Sequence, residues 1–196
     1  MMFLDSEKTS IGTPTPTAPS TPEGDIDAAI AVCRTTLQIS PDDPETLFRY
    51  AYLLFLENRT IESLQSLERL LQTEPFFPNA SWLRGGVLRR LKGDRDGEVL
   101  AIFKELACRY PQSAYILCEL GDIYRANGRY EEARTIFERL QDPSTNADEE
   151  CRAEAALKLG IVCEVLGDAC AAREALKSIP ESANEYPDAL AMLSLL

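Results

Sequence analysis

The side chains of this 196-residue chain with types suited to catalysis are two pairs of adjacent acids, Glu131 with Glu132 and Glu149 with Glu150, and two cysteines, Cys163 and Cys170. Paired carboxylates can act as general acid and base, but adjacent residues on a helix point in different directions. Both pairs therefore read as solvated charge. Cys163 and Cys170 lie two helical turns apart on one face, yet a cysteine nucleophile needs a base and the chain contains no histidine. The six cysteines (33, 108, 118, 151, 163 and 170) include no C-x-x-C pair to start a zinc site. They fall among apolar helical positions and read as reduced core thiols packing like small hydrophobes, which suits a reducing cytoplasm. No G-x-S-x-G, P-loop, G-x-G-x-x-G or EF-hand pattern occurs. The expectation is a cytoplasmic chain that is not an enzyme and needs no cofactor or metal.

Charge narrows the partners. Twenty basic residues stand against 32 acidic ones, a formal net charge of −12 that repels phosphate backbones and anionic lipid surfaces. Neither nucleic acid nor a membrane is expected as a partner, and no apolar run is long enough to span a bilayer. The start, "MMFLDSEKTSIG", has an acid at position 5 and no basic residue before its apolar side chains, so it lacks the form of a secretory signal. Within the acidic chain Arg84, Arg89, Arg90, Lys92 and Arg95 form a basic cluster. It could receive a partner's carboxylates, or be a solvated helix end offsetting the helix dipole.

The elements that would position these groups announce themselves after Gly24. Residues 9 to 23, "TSIGTPTPTAPSTPE", alternate Thr or Ser with Pro, and residues 1–23 read as a disordered tail. From 24 to 196 helical periodicity takes over, broken by Pro41, Pro75 and Pro111 at separations of 34 and 36. Small residues recur with it: Ala51, Gly86, Gly121 and Gly160 are 35, 35 and 39 apart, the last interval lengthened by "QDPSTNADEE". In "LGDIYRANGRYEEARTIFERL", residues 120 to 140, Gly121 and Ala133 allow two helices to cross closely while Leu120, Tyr124, Phe137 and Leu140 fill the space beside the crossing. Gly128 follows Asn127 where a left-handed residue can end the first helix. Helices are expected at 25–39, 44–57, 60–72, 79–92, 95–109, 113–127, 130–141, 148–166, 169–178 and 186–195. Pro44, Asp94 and Ser113 serve as entry signals.

These residues resemble the tetratricopeptide repeat, whose helix-turn-helix unit carries W-x2-L-G-x2-Y, then A-x3-F, then P. The third unit matches with Leu117, Leu120, Gly121, Tyr124, Gly128, Tyr130, Ala133 and Phe137. The second has Trp82, Gly86, Gly93, Phe103 and Pro111, with Arg89 at a site usually aromatic. The first has Leu47, Tyr50, Ala51, Leu54, Leu67 and Pro75 and lacks the turn glycine; the fourth has Leu159, Gly160, Gly167, Ala172 and Leu176, with Cys163 at the aromatic site. The resemblance implies an all-α, right-handed superhelical array of antiparallel helix pairs, about four full repeats with a single leading and a single trailing helix.

The resemblance further implies that the first helices of the units line a concave groove. Its positions would be Phe48, Arg49, Tyr52, Phe55 and Leu56 in the first unit, and Leu83, Arg84, Val87 and Arg90 in the second. The third would add Tyr115, Cys118, Glu119, Asp122 and Arg125, and the fourth Leu157, Lys158, Ile161 and Glu164. Such a groove, apolar and aromatic at one end and of mixed charge at the other, would take a peptide or amphipathic helix of a protein partner. Alternatively, Phe48, Tyr52 and Phe55 would pack on the leading helix and the tail. Family members that hold the acidic end of heat-shock chaperones use a clamp of Lys, Asn and Arg, absent here at Phe48, Tyr52, Arg84, Tyr115 and Glu119. The implied function is a non-enzymatic interaction module (adaptor, assembly factor or dedicated chaperone). The alternative is a structural docking subunit that uses an apolar C-terminal edge (Leu190, Leu193, Leu195 and Leu196), through which the chain would also self-associate.

Overall fold

Segments of 8 to 17 residues, most of them amphipathic and marginal alone in water, become helices here by burying their apolar faces against the next. The computed structural model describes residues 26–77 and 79–196, and the Ser/Thr/Pro-rich stretch with its boundary at residue 23 lies outside them. Ten helices and no strand occur among the described residues: α1 (Ile26–Ile39), α2 (Pro44–Leu56), α3 (Thr60–Thr73), α4 (Ala80–Lys92), α5 (Gly97–Arg109), α6 (Ala114–Ala126), α7 (Tyr130–Leu140), α8 (Glu149–Val165), α9 (Ala169–Lys177) and α10 (Tyr186–Leu193). Each matches an expected helix to within two residues at either end. α2 pairs with α3, α4 with α5, α6 with α7 and α8 with α9; each pair then packs on the next, with α1 against α2 and α10 against α9. The result is an α-solenoid.

The turns inside the pairs obey one rule with different residues. Gly93, Gly128 and Gly167 have φ of 86°, 71° and 80°, and Asn58 takes φ 58° at the corresponding place in the first pair. Asparagine tolerates the left-handed region better than other side chains do, which is how a unit without the turn glycine still closes.

Close approach, in contrast, does require glycine. A Cβ at Gly121 would stand 2.5 Å from the Phe137 ring, and one at Gly160 2.7 Å from Leu176. Phe137 and Leu176 are fully or almost fully buried, so neither has room to retreat. In the second pair the crossing glycine is Gly85, whose Cβ would lie 2.9 Å from Phe103, and not the expected Gly86, for which the nearest group is Phe55 at 3.7 Å. The reason is the turn: α5 begins four residues after Gly93, whereas α7 begins two after Gly128. The longer turn changes where α5 meets α4, so Phe103 faces the preceding residue, about 100° around the helix.

The same turn moves the helix entry from the expected Asp94 to Asp96, whose side chain accepts from the amides of Glu98 (2.9 Å) and Val99 (3.3 Å). Ser113 stands at the entry of α6 but makes no side-chain cap there. α6 is the most deeply enclosed helix, burying Ala114, Ile116, Leu117, Leu120, Gly121, Ile123 and Tyr124 between α5, α7 and α8. The cysteines divide, contrary to the expectation of core thiols throughout. Cys33 and Cys163 are buried, Cys118 and Cys151 half-buried, and Cys108 and Cys170 exposed. Cys108 and Cys170 sit on the outward faces of α5 and α9, where helical apolar spacing does not guarantee a neighbour.

Candidate partner-binding groove

The first helices of the pairs, α2, α4, α6 and α8, touch across the array, α2 meeting α4 and α6 meeting α8. Two cavities open along this wall. One, about 590 Å³, is lined by Tyr52, Phe55, Leu56, Trp82, Tyr115 and Glu119 among others. The second, about 480 Å³, begins at the same Tyr115 and Glu119 and runs over Cys118, Asp122, Cys151 and Lys158. Tyr115 and Glu119 line both, so the two cavities adjoin there.

The apolar end is built from α2, α4 and α6. Phe48 is already partnered: its ring meets Phe77 at 5.4 Å. Arg90 lies over the Phe55 ring at 3.7 Å and donates to the Phe55 carbonyl at 2.6 Å. Phe48, Tyr52 and Phe55 thus pack toward α4, whereas α1 is met instead by Tyr50, Leu53 and Leu54. Trp82 and Tyr115 make an edge-to-face pair with centroids 5.5 Å apart. The apolar side chains here that keep most surface are Leu56 (45% exposed) and Tyr115 (39%). Leu83 lines the floor of this cavity while fully buried, and Val87, also expected in the groove, is a fully buried core residue that packs with α2 and α3.

The basic cluster is neutralised from within. Arg84 contacts Glu98 at 2.5 Å and Lys92 contacts its other oxygen at 2.7 Å, which holds the Glu98 carboxyl below its ordinary pKa. Arg89 bridges Asp94 and Glu119, and Arg95 donates to the Ala126 carbonyl at 3.0 Å. Neither reading of this cluster, a receptor for a partner's carboxylates or a solvated helix end, included these pairs with the chain's own carboxylates, which take Arg84, Arg89 and Lys92 and leave Arg90 and Arg95 on backbone carbonyls.

The other end of the groove is predominantly acidic. Lys158 contacts Asp122 at 2.6 Å and Glu154 at 2.7 Å. Burial works against its ammonium form, but those two carboxylates outweigh burial and raise its pKa. Arg125, also on α6, reaches Asp122 at 3.5 Å. Around them stand Asp148, Glu150 and Glu185, and the Oε2 atom of Glu185 is out of contact with water and has no hydrogen-bond partner among the described residues. Leu157 and Ile161 are half-buried on α8, and Glu164 and Arg49 are exposed.

Much of this acidic wall escaped the sequence reading. α8 runs 17 residues against 13 for α2, α4 and α6, and its additional first turn carries Glu150 and Cys151, with Glu154 following in the next turn. The long connection before it is fixed by Thr145 donating to the Arg139 carbonyl (2.8 Å) and the Asn146 amide to the Gln112 carbonyl (3.2 Å). The lengthened interval in the repeat was the available signal. At the far end Leu193 and Leu196 pack onto α8 and α9, while Leu190 and Leu195 are 49% and 85% exposed. Among the described residues no group of three or more His, Cys, Asp or Glu is disposed to hold a metal ion, and no helix is long and apolar enough to cross a membrane.

Helical pairs in tandem, short left-handed turns and a groove lined by alternate helices define a helical-repeat scaffold of the kind that supports protein–protein interaction. Two Tetratricopeptide repeat models match residues 23–84 and 100–148, together more than half of the chain, and the chain belongs to the tetratricopeptide repeat family. It is similar in fold to MamA from Desulfovibrio magneticus RS-1 (TM-score 0.68, 18% identity, covering 80% of this chain and 84% of that one). It is likewise similar to YrrB, described as a TPR protein with an unusual peptide-binding site (0.63, 16%, 78% and 75%), and to Pseudomonas aeruginosa pilF (0.60, 18%, 86% and 82%). No curated protein sequence matches.

Proposed function

We propose that the chain is a non-enzymatic adaptor or assembly factor that takes an extended peptide or amphipathic helix of a protein partner along the groove of α2, α4, α6 and α8. The observation that carries this reading is that the two cavities adjoin at Tyr115 and Glu119, an apolar aromatic one beside an acidic one. A segment with an apolar anchor over Leu56 and Tyr115 and basic side chains toward Asp122, Asp148 and Glu150 has the complementary pattern. Tyr52, Phe55 and Leu83 shape the apolar floor and Arg90 borders it; Phe48, Arg49, Arg84 and Arg125 line neither cavity. That MamA, YrrB and pilF share the fold is consistent with such a scaffold and says nothing of the partner.

Selection from a displayed random-peptide library tests this. Wild-type protein is expected to enrich peptides with an apolar residue followed by Lys or Arg, and Leu56→Glu with Tyr115→Ala, both at exposed positions, to lose them by about tenfold or more with unchanged helicity. Peptides retained equally by the variant would refute the groove as the binding surface. A second reading, docking into a larger complex or onto a second copy through the C-terminal edge, is favoured by the exposure of Leu190 and Leu195.

A further inference from the structure

The two half-buried cysteines of the acidic cavity lie on different repeats and meet. Cys118, on α6, and Cys151, in the first turn of α8, are separated by 33 residues in sequence, and their Sγ atoms are 3.4 Å apart. We propose that Cys118 and Cys151 are the partners of a reversible disulfide that ties α6 to α8 across the wall of the groove. The proposal is independent of any partner occupying that groove.

Geometry supplies the first argument. A disulfide needs its sulfurs at about 2.05 Å, so a further approach of roughly 1.4 Å joins them, within reach of small side-chain rotations on two helices already in contact. Access supplies the second. Both sulfurs line an open cavity of about 480 Å³, unlike Cys33 and Cys163, which are buried in the core. Chemistry supplies the third. Cys151 is held at the start of α8, its amide donating to the capping Asp148 at 2.8 Å, where the helix dipole favours an anion. The two thiols share a hydrogen bond in which either sulfur can donate; with Cys118 as the donor, that bond lowers the Cys151 pKa and, together with burial, raises that of Cys118. Burial, Asp148 and Glu154 oppose the Cys151 thiolate and Lys158 favours it; the place of Cys151 in the first turn of α8, which Cys118 does not share, makes Cys151 the nucleophile of the proposal.

The oxidant required is a hydroperoxide. The Cys151 thiolate attacks one peroxide oxygen, the O–O bond breaks, and the departing oxygen takes a proton and leaves as water, or as an alcohol from an alkyl hydroperoxide. Cys151 is then a sulfenic acid. The sulfur of Cys118 attacks the Cys151 sulfur, the S–O bond breaks, and hydroxide departs with the Cys118 proton as a further water. The two thiols lose two electrons and the peroxide gains them. An external dithiol reverses the step by exchange through Cys118 or Cys151.

The test uses the full chain carrying Cys108→Ser and Cys170→Ser, which removes the two exposed thiols. After hydrogen peroxide and alkylation, peptide mapping is expected to show residues 118 and 151 joined within one chain, with Cys33 and Cys163 alkylated as thiols. The midpoint of thermal unfolding is expected to rise by about 5 °C or more and to return on adding dithiothreitol. Adding Cys118→Ser should leave a Cys151 sulfenic acid that dimedone traps, and adding Cys151→Ser should abolish both products. Recovery of Cys118 and Cys151 as alkylated thiols, or their bonding only between chains, overturns the proposal. If the double variant does not fold, the same map on the wild-type chain decides it, because each cysteine is identified by its own peptide.

Discussion

At the scale of single residues the second helical pair offers the sharpest test, because Gly85 and Gly86 are neighbours with opposite environments. A methyl group at Gly85 would meet the Phe103 ring at 2.9 Å and one at Gly121 the Phe137 ring at 2.5 Å, while at Gly86 it would make ordinary contact with Phe55 at 3.7 Å. Gly85→Ala and Gly121→Ala are therefore expected to cost about 1–3 kcal/mol through overpacking. Gly86→Ala should be neutral or stabilising by up to about 1 kcal/mol, since alanine is the better helix former. Urea unfolding of the three variants checks this, and equal losses at 85 and 86 would contradict the register described. Sequence could not separate the two: adjacent glycines both satisfy the pattern, and only the length of the turn after Gly93 chooses between them. The Cys118 and Cys151 contact was more accessible, since two inner-helix cysteines about one repeat apart are candidates to meet; the core reading of all six thiols obscured it.

At the scale of elements, α2, α5, α8 and α9 are closed at their first turn by an aspartate cap. Asp43 accepts from the Thr46 amide at 2.9 Å, and hydrogen bonding to the Thr46 side chain and then to its amide lowers the Asp43 pKa. Glu62 and Glu132 are lowered by Arg59 and Arg129 one turn away, and Glu98 by Lys92 and then Arg84. All four shifts have the same sign. A carboxyl whose folded pKa lies below its unfolded value of about 4 contributes stability that is complete above that value and is lost as pH falls through the folded pKa. The melting temperature should accordingly show no contribution from these groups between pH 7 and 5 and decline below about pH 4. A melting temperature that stays level or rises from pH 4 to 3 would mean that these carboxylates contribute nothing, or that relief of the net negative charge outweighs them. Helix positions were legible because apolar spacing of three and four is a strong local signal. The entry of α5 was not, because Asp94 and Asp96 both suit a cap and only the fold selects Asp96.

For the whole molecule, the array and its repeat length were readable from the sequence, since close crossings must recur wherever hairpins are stacked. The groove was readable at its apolar end and poorly at its acidic end, where the first turn of α8, the connection at 142–148 and Glu185 come together from segments that break the period. The C-terminal edge was legible only as a run of leucines; Leu193 and Leu196 turn inward, and Arg173 donates to the Leu196 carbonyl. If Leu190 and Leu195 mediate self-association, light scattering should show dimers whose fraction grows with concentration, and Leu190→Glu should return the chain to monomer with its fold intact. A monomer at every concentration would dismiss that surface as a self-docking site. The extended turn after Gly93 has one more implication, for ancestry and engineering. A unit whose helices meet in a different register is not an interchangeable brick, so duplicating or transplanting the second hairpin by recombination would hand its neighbours mismatched ridges, whereas the third and fourth could be exchanged with far less repair.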